Sequence, residues 1–380
     1  MLALSQMVAG CNNAQQASLR VKMLKNSIPV QLLNEFRKSL DQPFAIDFAP
    51  VAQLKELFEQ LKAWQQPVDP NHHQGLSLPF FKAEAPIVAD LVTLGDYWLA
   101  AAIQQKLIQP LTPESLKNWQ QLPQQWQNLV KRNPQGEVDT SGKVWGAPYR
   151  WGSTVMIYRP DKFKALGWTP QDWQDLWRPE LRDRISLLDQ SREVIGLTLK
   201  SLGHSYNTPD LTQVPKLKQT LQQLHQQVKF YSSDAYLQPL LLEDTWLAVG
   251  WSTDVLQITK TNSDIAAIVP QSGTALWADL WVRPTASDTQ SRSELVQKWI
   301  DFCWQPASAQ AIALLSRAAS PVLINTQREQ LPPEIRDNQV LLPNAEILQK
   351  SEFLQPLSAA SEKQYRSLWQ EIRQQGSSLK

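Results

Sequence analysis

The sequence predicts an α/β protein built from two lobes, and two observations lead to this fold class. The chain has 380 residues, which exceeds the size at which a single hydrophobic core stops growing. From Leu19 onward, short β-rich runs alternate with helical patterns, the order that produces parallel sheets covered by helices. No apolar run approaches the roughly 20 residues that span a bilayer, so any membrane attachment is expected at a terminus.

Each element follows from its own pattern. Runs of β-branched and aromatic residues predict strands at Val21–Lys25, Phe44–Phe48, Val88–Val92, Thr154–Tyr158, Arg184–Leu188, Trp246–Gly250 and Leu276–Arg283. Apolar residues at three- and four-residue spacing predict helices at Pro29–Ser39, Leu54–Trp64, Tyr97–Leu107 and Leu295–Trp304. A further helix is predicted to open with Thr169 as its N-cap and Pro170 at its first position.

The composition excludes several classes of protein. Lys and Arg total 37 against 36 for Asp and Glu, a formal charge of +1, so the basic surface expected of a nucleic-acid binder is missing. The cysteines are Cys11 and Cys303, and the four histidines lack metal-binding spacing. We therefore expect no disulfide framework, no metal site and no cofactor, and we expect Cys303 to be a buried structural thiol.

The first residues of the chain predict a lipid anchor. Val8-Ala9-Gly10-Cys11 resembles a bacterial lipobox, and the stretch from Asn12 to Ser18 is polar and without periodicity. We interpret residues 1–18 as a truncated lipoprotein signal with its tether, and Cys11 as the lipidated residue. The alternative is a frayed N-terminus without a function.

Aromatic residues recur next to carboxylates at the ends of predicted strands. The motifs are Asp96-Tyr97-Trp98, Trp251-Ser252-Thr253-Asp254 and Trp277-Ala278-Asp279. Because ligands of α/β sheets bind beyond the carboxyl ends of the strands, these residues are expected to line one cleft. Aromatic faces and carboxylates suit an organic cation. The competing interpretation places Trp251 and Trp277 in the core, as is usual for buried tryptophan.

A fourth element joins a predicted strand to a helix at Ile185–Val194. Its helix N-terminus would face the same cleft, with Glu193 in the first turn. Spacing alone favours a simpler interpretation, in which Asp189 caps the helix and Glu193 complements the helix dipole.

Nothing in the sequence indicates catalysis. The chain lacks the GxSxG, HExxH, Walker A and GxGxxG motifs that mark common nucleophile, metal or cofactor sites. We therefore expect a binding protein and not an enzyme.

Three motifs, in order, resemble the polyamine-binding branch of the bacterial extracellular solute-binding proteins. They are residues 142–152 (GKVWGAPYRWG), 172–181 (DWQDLWRPEL) and 189–194 (DQSREV), and Trp251 and the Trp277–Asp279 segment are similar to later landmarks of that family. The resemblance implies a two-lobed, type II-like periplasmic-binding-protein fold. It also implies a hinge that closes on ligand and a function in delivering that ligand to an ABC importer.

The same resemblance implies roles for individual residues. Glu193 falls where spermidine/putrescine-binding proteins keep a carboxylate for a ligand ammonium, and Trp251 falls where they stack an aromatic ring on the polyamine. The departures are Gln190, which replaces a second acid of that motif, and residues 25–29, which lack the family's aromatic side chains. Asp96 and Asp189 are the candidates for supplying the missing charge. We therefore expect a small organic cation as ligand, with spermidine and putrescine bound poorly by comparison.

These inferences define the predicted organisation. Lobe 1 comprises residues 19–145 and 252–300, and lobe 2 comprises residues 146–251 and 301–380. The predicted ligand site lies between them, with aromatic walls and polar anchors at Trp151, Trp251, Trp277, Glu193, Asp96, Asp254, Asp279 and Gln190. The predicted partners are the ligand and an ABC permease, without nucleic acid, for a monomer tethered outside the cytoplasm by its lipid anchor.

Other ligands remain open on the same fold: a thiamine-like cation, a metal ion or an anion. Arg150 and Arg192 are the residues that keep an anion in consideration. A protein that mediates interactions without transport is the remaining alternative.

Overall fold

The computed structural model describes residues 18–65, 87–287 and 292–375. Its strands are β1 (Leu19–Leu24), β2 (Ile46–Val51), β3 (Leu91–Gly95), β4 (Ile108–Gln109), β5 (Lys131–Arg132), β6 (Lys143–Val144), β7 (Ala147–Tyr158), β8 (Ile185–Leu187), β9 (Val228–Tyr231), β10 (Leu247–Trp251), β11 (Ala266–Ile268), β12 (Ala275–Pro284) and β13 (Glu352–Phe353). Its α-helices are α1 (Val30–Lys38), α2 (Leu54–Gln65), α3 (Leu99–Gln104), α4 (Gln124–Val130), α5 (Pro160–Leu166), α6 (Ser191–Ser201), α7 (Leu217–Gln227), α8 (Gln238–Leu241), α9 (Ser252–Ile258), α10 (Ser293–Cys303), α11 (Pro306–Ser316), α12 (Pro333–Arg336), α13 (Ala345–Lys350) and α14 (Ala359–Gln375). The strands and helices predicted by range are confirmed to within a few residues, except that the strand predicted at Thr154–Tyr158 is the second half of β7, which begins at Ala147.

Among the described residues, eleven strands form one mixed sheet with the main order β2-β1-β3-β12-β7-β10-β8-β9, and β5 pairs with β6 separately. The β2-β1-β3 group is parallel, and so is the β10-β8-β9 group. The expected parallel sheets are present as these two groups, and β12 and β7 join them by running antiparallel to β3, to each other and to β10. Hydrophobic runs encode burial but no strand direction.

Strand β7 is the element that joins the two halves. Its first part, from Ala147 to Ser153, pairs with β12. Its second part, from Thr154 to Tyr158, pairs with β10. All twelve residues of β7 are buried, because both faces of the strand are covered throughout its length.

Three hydrophobic clusters pack against this sheet. The first surrounds β1, β3 and β12. The other two lie against β7 and β10, and neighbouring residues of β7 alternate between them: Met156 belongs to one cluster and Val155 to the other. This alternation follows from the two-residue period of a strand. It gives the second half a layer of side chains on each face of its sheet.

The packing divides the chain differently from the predicted lobe boundaries. Side chains from Leu295 to Phe353 pack into the first cluster, although residues 301–380 were assigned to the second lobe. Val255 and Ile265 pack with the second half, although residues 252–300 were assigned to the first. The reason is that the chain returns to the first half only with β12, which begins at Ala275. Local sequence does not show at which strand the chain passes from one half to the other. The lobe limits remain a prediction.

Two local predictions have different outcomes. The helix expected to begin at Thr169 is a 3-10 helix over Trp173–Trp177, and its cap is Asp172, whose carboxylate accepts a hydrogen bond from Trp173 N. Asp175 completes a capping box with Asp172, so the cap lies three residues beyond the predicted Thr169. Cys303 is buried and free, as predicted.

Trp299 packs at the centre of the first cluster and provides a test of the fold. Its ring is fully buried and contacts the rings of Phe36, Phe48 and Trp281. Trp299→Ala is expected to lower the free energy of unfolding by about 3–5 kcal/mol, because the cavity that remains cannot collapse completely. Denaturant titration measures this change. Leu242→Ala, at an exposed side chain, is the control, and equal effects of the two substitutions would contradict the packing described here.

Candidate ligand-binding site

One cavity of about 700 Å³ opens where the two halves of the sheet meet. Side chains from both halves line it, and they include most of the predicted site residues: Asp96, Gln190, Glu193, Trp251, Trp277 and Asp279. The structure thus brings the three aromatic–acid motifs and the strand-to-helix element into one pocket. Which of these side chains contact a ligand remains a prediction.

The location of the pocket follows from the direction of the strands. Strands β3, β8 and β10 all end at this cavity, and their last residues are followed directly by Asp96, by the Leu188–Gln190 turn, and by α9. Ligands of α/β proteins bind at this edge because the carboxyl ends of parallel strands meet there. The motifs were therefore predicted at the correct edge.

Glu193 is buried, with 6% of the residue exposed, in the first turn of α6. Thr154 Oγ1, on the crossing strand β7, donates to Glu193 Oε2 at 3.0 Å. Burial raises the pKa of Glu193 to about 7, and the Thr154 hydrogen bond and the charge of Arg192 only partly offset this shift. The simpler interpretation, in which Glu193 only complements the dipole of its helix, does not explain why its carboxylate is buried against the pocket.

Asp96 begins a 3-10 helix directly after β3, on the opposite half of the site. The backbone N–H of Ala278 donates to Asp96 Oδ1 at 3.0 Å. Burial raises the pKa of Asp96 to about 7; this hydrogen bond and Arg132 lower it, whereas Asp279 raises it. Among the described residues, neither Asp96 nor Glu193 forms an ion pair within 4.0 Å. Each half of the molecule therefore presents one carboxyl group without an ion-pair partner, and Glu193 is buried whereas Asp96 is half-buried.

Asp279 is in a different state, because it already has a cation. Arg150 Nε lies 2.6 Å from Asp279 Oδ2, and both side chains are buried. Burial lowers the pKa of Arg150, but the adjacent Asp279 carboxylate more than compensates and raises it above its usual value. Asp279 lines the pocket as predicted, but its charge is balanced within the protein.

Aromatic rings form the walls of the pocket. The Trp277 ring lies against the backbone of Gly152, where an added Cβ would overlap the ring and lie 2.6 Å from Ser252 Oγ. Trp251 is half-buried beside Tyr236, with ring centroids 6.0 Å apart. Both tryptophans face the pocket instead of filling the core, which is the interpretation favoured by the aromatic–acid motifs.

Two predicted site residues lie elsewhere. Trp151 is fully buried in the first cluster with its ring centroid 5.1 Å from that of Trp126, so the expectation that it forms a pocket wall is wrong. Alternation along β7 places Trp151 on the opposite face from Arg150. Asp254 accepts a hydrogen bond from Tyr236 Oη at 2.7 Å and does not line the pocket, so it orients Tyr236 beside the Trp251 backbone.

The other lining residues differ in origin. Tyr97 and Trp98 belong to the predicted Asp96-Tyr97-Trp98 motif, whereas Trp369 comes from α14, far from every motif, and was not predicted. Asp189 also lines the pocket, and Arg373 of α14 lies 3.6 Å from it. Asp189 is not the helix cap, because Gln190 occupies that position without a side-chain hydrogen bond. No pattern in residues 359–375 indicates that this helix returns to the site.

Two further observations bear on chemistry. In the part of the chain that the structure describes, no three His, Cys, Asp or Glu side chains are grouped so that they could hold a metal ion. Across these same residues, no helix is both long and apolar enough to cross a membrane.

An α/β molecule with a deep cleft between two halves joined by crossing strands is of the two-lobed periplasmic-binding-protein type. Residues 87–351 match the family described as "Bacterial extracellular solute-binding protein". The chain therefore belongs to the bacterial extracellular solute-binding protein family.

Individual relatives agree with this assignment. The chain is 26% identical over 272 residues to the spermidine/putrescine-binding periplasmic protein of Escherichia coli, covering 72% of this chain and 74% of that protein. It is 25% identical over 246 residues to a putrescine/cadaverine-binding protein of Pseudomonas aeruginosa, covering 61% and 67%. A solved structure of a spermidine/putrescine ABC transporter substrate-binding protein from Streptococcus pneumoniae superposes with a TM-score of 0.76 at 20% identity, covering 94% of this chain and 98% of that one.

The pKa of Glu193 has a consequence for stability. Since burial raises this pKa to about 7 from a usual value near 4.3, the folded state binds the proton more tightly than the unfolded state. Ionisation of the buried Glu193 therefore lowers the free energy of unfolding. This decrease is absent below the pKa that Glu193 has in the unfolded state, and it is complete above pH 7. Glu193→Gln is therefore expected to raise the free energy of unfolding at pH 8, by on the order of 2–4 kcal/mol, and to change it little at pH 4.

Glu243 is a suitable control, because its pKa is shifted in the opposite direction from that of Glu193. Lys162 and Arg159 lower the pKa of Glu243, and this side chain lies outside the pocket. Glu243→Gln should reduce stability near neutral pH, and that loss should disappear as the pH falls. Denaturant titrations at pH 4 and pH 8 compare the two variants. A Glu193→Gln variant that is less stable than the wild type at pH 8 would contradict the expected cost of the buried charge.

Proposed function

We propose that this chain is the solute receptor of an ABC importer and captures a small organic cation of the polyamine class. Ligand binding draws the two lobes together about strands β7 and β12, and the closed form engages the permease. The proposal includes a monomeric, non-enzymatic protein located outside the cytoplasm. The names of the relatives, which are binding proteins for spermidine, putrescine and cadaverine, support the ligand class.

The observation that carries this proposal is the pair of carboxyl groups without ion-pair partners. Asp96 and Glu193 face one pocket from different halves of the molecule. A dehydrated carboxylate is costly unless a cation accompanies it. A ligand that carries ammonium groups would remove this cost and at the same time connect the two halves. Trp251 and Trp277 add faces suited to cation–π contact.

The alternative ligand classes fit this pocket less well. An anion would need free guanidinium groups, but Arg150 is bonded to Asp279, and Arg192 donates to the Gln355 carbonyl and to Asn207 Oδ1. A bound metal ion would need clustered ligands, which the described residues lack. A compact aromatic cation remains compatible with the tryptophan walls, and the absence of binding of both aliphatic amines in the titration below would favour it.

Calorimetric titration with putrescine and spermidine tests the ligand class. Glu193→Gln is expected to weaken amine binding by about 30-fold or more, since the lost charged contact is worth on the order of 2–5 kcal/mol. Wild-type affinity should also fall below pH 7 by about tenfold per pH unit for each carboxyl that must lose its proton. Glu243→Gln is the control and should bind like the wild type.

The same titration tests the expectation that both amines bind poorly compared with the preferred ligand. Submicromolar spermidine binding that is lost in Glu193→Gln would refute poor binding and support Glu193 as the anchor. Tight binding of an anion or a neutral sugar, with no response to either amine, would remove the organic-cation proposal.

The proposed lipid anchor lies at Cys11, outside the described residues. Its support is the Val8–Cys11 pattern and the polar stretch that follows. In a bacterial host, with a complete lipoprotein signal, Cys11→Ser should move the protein from the membrane fraction to the soluble fraction, because the acyl chains would be missing. Cys303→Ser should leave the distribution unchanged. A wild-type protein that mass spectrometry finds unlipidated would refute the anchor.

A further inference from the structure

A cation is built into the wall of the proposed ligand pocket. Arg150, on the crossing strand β7, and Asp279, on β12, both line the cavity and form an ion pair of 2.6 Å. The Arg150 side chain also reaches toward the Ser316 carbonyl at 3.5 Å and interacts with the Tyr149 side chain. An ammonium group of a ligand could approach the same carboxylate from the pocket, so the guanidinium competes for this position.

The charges of the lining residues show how many carboxylates remain without a counter-charge and could pair with a cationic ligand. The pocket is lined by four carboxylates and two guanidinium groups: Asp96, Asp189, Glu193, Asp279, Arg150 and Arg192. Arg150 pairs with Asp279 and Arg373 pairs with Asp189, so among the described residues the lining carboxylates without an ion-pair partner within 4.0 Å are Asp96 and Glu193. An aliphatic diamine carries two positive charges, one for each of these carboxylates, whereas a triamine carries three and would leave one ammonium without a counter-charge in the pocket.

We propose that Arg150 sets the charge preference of the pocket by occupying the cation position beside Asp279, so that the pocket prefers a diamine to a triamine. This inference rests on the proposed function and concerns the same site. Arg150 is thus a specificity-determining residue whose guanidinium substitutes for one ligand ammonium. Without it, three lining carboxylates would lack an ion-pair partner, and Asp279 would be available to the ligand.

The ion pair also contributes to the junction of β7 with β12, and this structural role must be separated from selectivity. The two strands already pair through backbone hydrogen bonds from Leu276 opposite Ser153 to Trp281 opposite Ala147. Loss of Arg150 therefore leaves the register determined while removing the charge. A purely structural role predicts that affinity for all amines falls together, whereas the proposed role predicts a change in their ratio.

The experiment measures the dissociation constants of putrescine and spermidine by calorimetry, at one pH and ionic strength, and compares their ratio between variants. Wild-type protein should bind putrescine more tightly than spermidine. In Arg150→Met the ratio should shift toward spermidine by at least about tenfold, because the freed Asp279 pairs with the third ammonium. An unchanged ratio, with amine binding otherwise intact, would overturn the inference and leave the proposed function standing.

A second variant keeps the test decisive if Arg150→Met does not fold, since an unpaired buried Asp279 is destabilising. Arg150→Met/Asp279→Asn removes both charges at once and leaves the net charge of the lining unchanged. If Asp279 is balanced by Arg150 before ligand arrives, the double variant should keep the wild-type preference and bind putrescine within about threefold of the wild type. A loss of tenfold or more for putrescine would show that Asp279 contacts the ligand directly and would overturn the inference.

Arg159→Met is the matched control. Arg159 directly follows β7, is as buried as Arg150, and pairs with Asp161 and Glu243 outside the pocket. Its loss should lower stability without changing the ratio of the two dissociation constants. A shift in Arg159→Met equal to that in Arg150→Met would overturn the inference. If the wild type binds neither amine at millimolar concentration, the proposed function itself fails, and the inference fails with it.

Discussion

Strands β7 and β12 pair antiparallel across the middle of the sheet, and both halves of the molecule are built outward from this pair. The parallel group β2-β1-β3 is attached to β12, and the group β10-β8-β9 is attached to β7. The carboxyl ends of β3, β8 and β10 consequently meet at one place, which is where the cavity opens. The pairing also places Arg150 within bonding distance of Asp279, so the junction of the two halves is part of the site wall.

The electrostatics of the pocket follow from this geometry. Carboxyl groups of the two halves are held against aromatic rings, where burial raises the pKa values of Asp96 and Glu193 to about 7. The arginine on the crossing strand balances a third acid. Carboxylates that lack a counter-ion within the protein attract a cationic ligand. Folding has already removed water from these carboxylates, so ligand binding does not have to supply that free energy again. In this way the site relates stability to recognition: the groups that destabilise the empty protein are those proposed to bind the ligand.

Much of the fold was predictable from residue patterns, and the site was predictable in part. Strand and helix positions depend on local periodicity, which a single sequence contains. The aromatic–acid motifs at strand ends also predicted the pocket, since Asp96, Glu193, Trp251 and Trp277 all line it. Trp151 was misplaced because it is adjacent to Arg150 on a strand, and neighbouring residues of a strand point to opposite faces. Trp369 was missed because a helix at the end of the chain returns to the site through tertiary packing alone.

Residue patterns are sufficient to specify the α/β class, the order of the elements and the residue types that meet at the strand ends. These properties depend on hydrophobic period and on chemistry within a few residues. The tertiary structure alone decided that β7 and β12 run antiparallel, that residues up to Phe353 pack with the first half, and that Asp279 is balanced while Asp96 and Glu193 are not. The reason is that burial and ion pairing depend on distances between residues far apart in the chain: Arg150 and Asp279 are separated by 129 positions, and only folding brings them within 2.6 Å.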